Sequence, residues 1–326
     1  ELPNVRIMER TTITGTYDGG TYGAIERVAP HQVPSDAPPE CFWRIAAKRA
    51  VLAAGALERT IAFPMNDRPG VMQAGAVRGF LNHWGVSPGH SVAVFANNDD
   101  AHRTASDLAA AGVGIAAVID SRPDASAPGD WPFYAGAEVV GTKGRLGLSE
   151  ITVRSGQTTR DIKADCLAVS GGWNPAVHLT CHMNGRPVWN DDIAAFVPTP
   201  DAVPGLVAAG AAMGTFSTAG CLAEGAQAGA DAAVALGFAA TAPDLPEAEA
   251  SGYAIDPLWA VDAPGRAWLD LQNDVTTKDV RLAARENYRS VEHMKRYTTP
   301  VSYTHLRAHE TYEGISYAVF CLKKGG

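Results

Sequence analysis

Residues 205–217, GLVAAGAAMGTFS, and residues 49–56, RAVLAAGA, carry the same device: a short apolar run that ends on alanine and glycine. Small residues at the carboxyl end of a strand let the backbone turn tightly and come close to a ligand. Either stretch alone is explained by an ordinary strand-to-loop turn. Together they point to a nucleotide, because the second is followed at Ser217 and Thr218 by caps for a long helix whose N-terminus can face phosphate. The expected cofactor contacts are Ala53, Ala54 and Gly55 on the first turn and Gly210, Ala211, Thr215, Phe216 and Ser217 on the second. Gly225 and Gly229, four apart on one face of the helix Thr218 to Leu236, predict close packing on a sheet.

Working outward, apolar positions from Val5 to Val28 are interrupted by Asp18-Gly19-Gly20, a hairpin signal. A Pro-rich loop (Pro30, Pro34, Pro38, Pro39) leads into a strand from Phe42 to Leu52. Between the two turns lie a short helix from Ala74 to His83, a strand from Ser91 to Ala96, a helix capped by Asn97 to Asp100 and a strand from Val113 to Asp120. The last three spell a β-α-β unit of a parallel sheet, with the right-handed crossover such units take. Residues 121 to 163 read as a small, turn-rich β region, and Asp165 to Ser170 as a buried strand closed by Gly171-Gly172. Pro243 and Pro246 open a linker, and helices near Thr277 to Arg285 and Val291 to Tyr297 form a compact satellite.

The 326 residues, with 46% hydrophobic, 19% charged and 33 glycines, fit an ordered α/β protein larger than one usual core. A net charge of -8, with no basic run among aromatics, argues against nucleic acid or an anionic membrane as partner and for a small molecule or another subunit. No stretch is apolar for the roughly 18 to 20 residues a bilayer span needs. Five cysteines stand singly, which excludes a C-x-x-C metal knuckle or redox dithiol and suits the reducing cytoplasm, the expected location. His178 and His182, four apart, lack a third ligand, so no metal site is expected, and no catalytic set emerges from spacing.

The pair of turns resembles the flavoprotein disulfide-reductase superfamily, where a strand ending A-T-G and a late G-D turn flank the dinucleotide. Here Ala54 replaces the threonine and Ala211 the acid. A flavin's ribityl hydroxyls would thus lose a charge-assisted hydrogen bond of roughly 1.5 to 3 kcal/mol, from which a nucleotide without a ribityl chain, such as NAD, is inferred. In the second unit the superfamily's G-x-G-x-x-G is replaced by Asn97-Asn98-Asp99-Asp100, whose negative charge would sit where a pyrophosphate belongs, although Asp120 holds the usual ribose position. A structural unit rather than a hydride-donor site is expected there.

More specific stretches, residues 47–82, 92–108, 170–179 and 214–233, resemble the α subunit of heterotetrameric sarcosine oxidase over about residues 1 to 299. The resemblance implies a fixed NAD on this chain, FAD on a β subunit that oxidises the amine, FMN at the α–β boundary, and β, γ and δ partners. It implies an oxidoreductase that demethylates sarcosine to glycine with release of peroxide, the one-carbon unit passing to tetrahydrofolate. This piece alone is expected to be inactive. Residues 265–299 look like the small [2Fe–2S] domain of related amine and opine dehydrogenases, but Leu271-Gln272-Asn273-Asp274 fills the place of its cysteines, so no cluster is expected. Alternatives are the α subunit of an opine, proline or hydrogen-cyanide-forming dehydrogenase, and a catalytically silent nucleotide-binding scaffold.

The fold class that follows is α/β: two interleaved Rossmann-like, disulfide-reductase-like nucleotide-binding domains plus a small, mostly helical, cluster-less ferredoxin-like satellite. The expected boundaries are 1–86 with 164–240 for the first domain, 87–163 for the second, 241–264 for the linker and 265–299 for the satellite. The chain opens in mid-strand, with its first phosphate-binding turn expected upstream. From Pro300 the sequence VSYTHLRAHET resembles translated adaptor DNA, so residues 300–326, with His305 and His309, are expected to be non-native and to follow where a folate-binding domain would begin.

Overall fold

The computed structural model describes residues 4–28, 38–127 and 129–299. The Pro30 and Pro34 positions of the Pro-rich loop and the tail from Pro300, with His305 and His309, lie outside them. The helices, in chain order, are α1 (Ala74–Trp84), α2 (Asp100–Ala110), α3 (His178–Cys181), α4 (Thr218–Ala235), α5 (Thr277–Arg285) and α6 (Val291–Thr298). The chain divides into two compact units, one of Glu1–Ala56, Pro175–Asn190 and Ala195–Ser251, the other of Leu57–Asn174, Asp191–Ala194 and Gly252–Gly326.

In the first unit, strands Thr11–Tyr17, Thr21–Arg27 and Glu40–Ala46 form an antiparallel meander. The hairpin between the first two turns on Gly19 and Gly20, both at φ +68°, where a side chain would be strained. The single strand expected from Phe42 to Leu52 is in fact two. The chain leaves the meander at Ala46, where Ala47 N–H donates to the Gly20 carbonyl, and Ala50–Leu52 then runs parallel to Leu206–Ala208. Tyr22, Leu52, Val203 and Leu206 are the buried centre of this unit.

The second unit is built on a five-stranded sheet in the order Val71–Gln73, Cys166–Ser170, Ser91–Ala96, Gly114–Asp120 and Phe133–Ala135, every neighbouring pair parallel. Alternate residues of the central strands supply two cores. Val92, Val94, Ala96, Val118, Cys166 and Ala168 pack on α1 and α2. Ala93, Phe95, Ile119, Leu167 and Val169 face Val139, Ile151 and Val153 of a small antiparallel sheet, together with Ile61 and Phe63. Burial on both faces is why these strands read as unbroken apolar runs. Fully burying each Val, Leu, Ile or Phe among them contributes about 1.5 to 3 kcal/mol. Asp165 fastens the start of this sheet, its carboxylate accepting the His90 and Ser91 N–H groups, each at 2.9 Å.

Residues 241–264 include packed chain: Val261 is buried in the second unit's core, with Leu258 and Ala263 against it. In the satellite stretch, Val275, Val280, Ala283 and Met294 make a small core beneath α5 and α6. α5 starts with a capping box, Asp279 accepting the Thr276 N–H at 2.8 Å. Across the turn before it, the Asp270 carboxylate accepts the Gln272 and Asn273 N–H groups at 2.8 and 3.1 Å. Side-chain oxygens thus organise the segment where the resemblance placed thiolates.

Candidate functional site

The parallel register Leu206 with Ala50, Val207 with Val51 and Ala208 with Leu52 puts the two sequence-predicted turns side by side at the carboxyl ends of neighbouring strands. Ala209 N–H closes the pair on the Leu52 carbonyl at 3.0 Å. Gly55 (φ +76°) and Gly210 (φ +66°) occupy the left-handed region that the reversals require. A methyl group on Gly55 would meet nothing within 4 Å, so open space adjoins this turn, and Ala53 and Ala54 are exposed. Past Gly210 the chain makes one 3-10 turn to Met213, reverses at Gly214 and reaches Thr215, Phe216 and Ser217, all half-buried. Ser217 caps α4, its Oγ accepting the Gly220 N–H at 3.2 Å.

Glu224 is a residue the sequence reading passed over. From the second turn of α4 it reaches back, Oε2 accepting the Gly210 N–H at 2.8 Å and Oε1 accepting the Thr215 hydroxyl. Its signal was present: it is the only Asp, Glu, Lys or Arg between Asp201 and Asp231, in a helix otherwise made mostly of small residues. Two further donors at the start of α4 are spent internally, Gly220 N–H on Ser217 and Ala219 N–H on the Glu249 carbonyl at 3.0 Å. The close approach expected at Gly225 and Gly229 is not made there. Both are exposed with open space around them, and α4 instead draws near at Gly210, where an added Cβ would lie 3.3 Å from Cys221 Sγ.

At the carboxyl end of Ser91–Ala96 the second unit turns through Asn97 and Asn98, both fully buried. Asn98 Nδ2 donates to Asn97 Oδ1 at 3.0 Å and Ser170 Oγ at 3.1 Å, while its Oδ1 accepts the Ala101 N–H at 3.3 Å. Residues 254–256 are laid along this turn as an added extended segment: Asp99 N–H donates to the Ala254 carbonyl, Ala254 N–H to Asp99 Oδ2, and Asp256 N–H to the Asn97 carbonyl. The negative charge expected here is matched internally. Asp99 meets Arg122 at 2.7 Å, and Asp100 meets Arg103 at 3.4 Å and Arg78 at 3.7 Å. Asp120, in the ribose position, is fully buried, holding Arg122 through both oxygens and His102 Nε2 at 2.7 Å. Burial alone would raise its carboxyl, but hydrogen bonds from His102 and Arg122 and the guanidinium charge outweigh it and hold the group below its ordinary value.

Between this turn and α1 sits Glu58, whose Oε2 accepts the Gly75 N–H at 2.7 Å in the helix's first turn. Burial, with the Asp100 charge adding to it, pushes its carboxyl up to about 7 against hydrogen bonds from Ser170 and Gly75 and the opposing charge of Arg78. Arg59, next to it and also buried, donates from Nε to the Gly171 carbonyl at 3.0 Å and from Nη1 to the Ala194 carbonyl at 2.7 Å. His182, one of the pair four apart, accepts the Thr16 N–H through Nδ1 at 3.4 Å. Among the described residues no group of three or more His, Cys, Asp or Glu side chains is placed to hold a metal ion, and no helix is long and apolar enough to cross a membrane.

A family profile described as "Sarcosine oxidase A3 domain" matches residues 264–305. The chain is 46% identical over 308 residues to the sarcosine oxidase subunit alpha of Rhizobium meliloti (strain 1021), covering 91% of this chain and 31% of that protein. It is 40% identical over 325 residues to the sarcosine oxidase subunit alpha of Corynebacterium sp. (strain P-1), covering 90% and 33%. The chain therefore spans about a third of the length of these relatives. Among solved structures, L-proline dehydrogenase from P. horikoshii shares the fold at a TM-score of 0.66 and 20% identity, over 97% of this chain and 60% of that one.

Proposed function

We propose that this chain, homologous over nine-tenths of its length to sarcosine oxidase alpha subunits, is the nucleotide-binding part of such a subunit. Its role would be to hold NAD as a fixed cofactor and to contact the β, γ and δ subunits, while FAD on β and FMN at the boundary carry electrons from sarcosine. The reaction of the whole complex would be oxidative demethylation of sarcosine to glycine, with dioxygen reduced to peroxide and the one-carbon unit passed to tetrahydrofolate. The single observation that carries the reading is the 46% identity to a named alpha subunit.

The residues of the first unit fit such a ligand. Ala53, Ala54 and Gly55 offer an open surface of small side chains at the strand ends, and Ala211, Phe216 and Ser217 edge the neighbouring turn, with Gly210 and Thr215 held by Glu224. A dinucleotide bound there would supply contacts and hydrogen-bonding groups to the assembly rather than a hydride. The second unit is a poor host on steric grounds, because residues 254–256 lie on the turn a pyrophosphate would need.

The test is to express the complete alpha subunit with the products of its neighbouring genes, purify the complex, separate the chains and identify the cofactor each releases. NAD from the alpha chain and sarcosine-dependent peroxide from the complex are expected. FAD released from the alpha chain, or no activity with sarcosine, would overturn the reading.

A further inference from the structure

We infer that Glu224 takes over, from the helix side, the acid's part that Ala211 leaves vacant, so that a ribose diol of the dinucleotide, not its phosphates, lies against the turn 210–215. This rests on the nucleotide reading above and says which part of the ligand the turn recognises. Donors and acceptors decide it. Gly210 N–H and the Thr215 hydroxyl are consumed by Glu224, and Ala219 N–H and Gly220 N–H by Glu249 and Ser217. A phosphate needs such donors, and these four are committed. Each carboxylate oxygen of Glu224, by contrast, carries two lone pairs and spends one on the turn. What Glu224 adds to the turn is acceptor capacity on a half-buried carboxylate, and its natural partner is a pair of hydroxyl donors. Glu224 is fixed for this purpose at both oxygens before any ligand arrives.

The alanine at 211 thereby takes on a different meaning. The turn is not left without an acid: Glu224 brings a carboxylate to it from α4. Glu224 is a positioning residue for the 210–215 loop in the free chain and a specificity-determining contact once the ribose is bound.

The experiment is calorimetric titration of the cofactor-stripped alpha subunit, in its complex, with NAD and with two analogues lacking the vicinal hydroxyls of one ribose or of the other. Wild type should bind one analogue on the order of tenfold or more weakly than NAD, the size of a hydrogen bond to a charged acceptor. Glu224→Gln should bind NAD and that analogue alike. A residue that only propped the loop would weaken all three ligands equally, and that result overturns the inference, as does wild type binding both analogues as tightly as NAD. The wild-type arm needs no variant, so it decides even if the substituted chain does not fold. Binding of no dinucleotide at all is a separate result that sinks the nucleotide reading and this inference with it.

Discussion

Arg122 closes on Asp120 with two parallel contacts, Nε to Oδ1 at 3.0 Å and Nη2 to Oδ2 at 2.8 Å, on a carboxylate that is fully buried. The same guanidinium holds Asp99 and the Ala254 carbonyl, so the strand end, the helix start and the crossing segment 254–256 share one cation. What a Rossmann unit elsewhere offers to a ribose is here turned inward.

Removing that cation should be costly. Arg122→Ala leaves a buried carboxylate with His102 alone as its side-chain partner, and breaking such a pair destabilises by roughly 3 to 5 kcal/mol. The Asp120 pKa in the folded chain lies below its unfolded value, so its stabilising contribution is present above the unfolded pKa and is lost as pH falls through the folded one. The deficit of the variant should therefore be largest at neutral pH and shrink in acid, as measured by urea denaturation at several pH values. A loss under about 1 kcal/mol at pH 7 would contradict a buried ion pair of this kind.

The two turn glycines should respond differently to alanine. Gly55→Ala meets open space and bears only the left-handed backbone cost of about 1 to 2 kcal/mol. Gly210→Ala bears that cost and also brings Cβ to 3.3 Å from Cys221 Sγ, so the Cys221 side chain on α4 must give by a few tenths of an ångström. Denaturation midpoints should fall further for Gly210→Ala. Equal losses would show that the approach of α4 to the turn is loose.

Cysteine reactivity gives a third check. Cys166 is fully buried in the strand Cys166–Ser170 beside the central one, and burial, with the Asp165 charge adding, pushes its thiol up to about 12. At pH 8 its thiolate is scarce, and the thiolate is the reacting species. Alkylation followed by peptide mass mapping should modify half-buried Cys41, Cys181 and Cys221 before Cys166. Early labelling of Cys166 would mean that the strand Cys166–Ser170 opens far more readily than its packing implies.

How far the sequence spoke depended on whether the relevant interaction was written locally. The central strand Ser91–Ala96 was legible because burial on two faces demands an unbroken apolar run, α2 and α4 because caps mark their starts, and α5 because its apolar residues recur at helical spacing. The adjacency of the two turns was only implied by their likeness, since strands more than 150 residues apart pair through the fold. The segment 254–256 was illegible, for an extended stretch without periodicity reads as linker whether or not it is laid on another turn. Glu224 escaped for a related reason: its partners Gly210 and Thr215 lie across a loop whose path the sequence does not fix. The break at Ala47 in the expected Phe42 to Leu52 strand was hidden because both halves are equally apolar while joining different sheets.

Glu58 makes the pH dependence of the second unit testable in the opposite sense to Asp120. Its carboxyl is pushed from an ordinary 4.5 to about 7, chiefly by burial, so the folded chain holds the proton more tightly than the unfolded one. The stabilisation linked to that proton is full below about pH 4.5 and is lost as pH rises through about 7. Every tenfold gain in proton affinity on folding is worth roughly 1.4 kcal/mol, which sets an upper bound of about 3.5 kcal/mol on the change. Glu58→Gln keeps an acceptor for the Gly75 N–H but cannot ionise. It should flatten the stability profile between pH 5 and 8 and leave the chain more stable than wild type at pH 8, by about 1 to 3 kcal/mol. Because Asp100 and Arg78 face the same carboxyl with opposite charge, a profile that stays sloped in Glu58→Gln but flattens in Asp100→Asn would assign the titration to Asp100 instead.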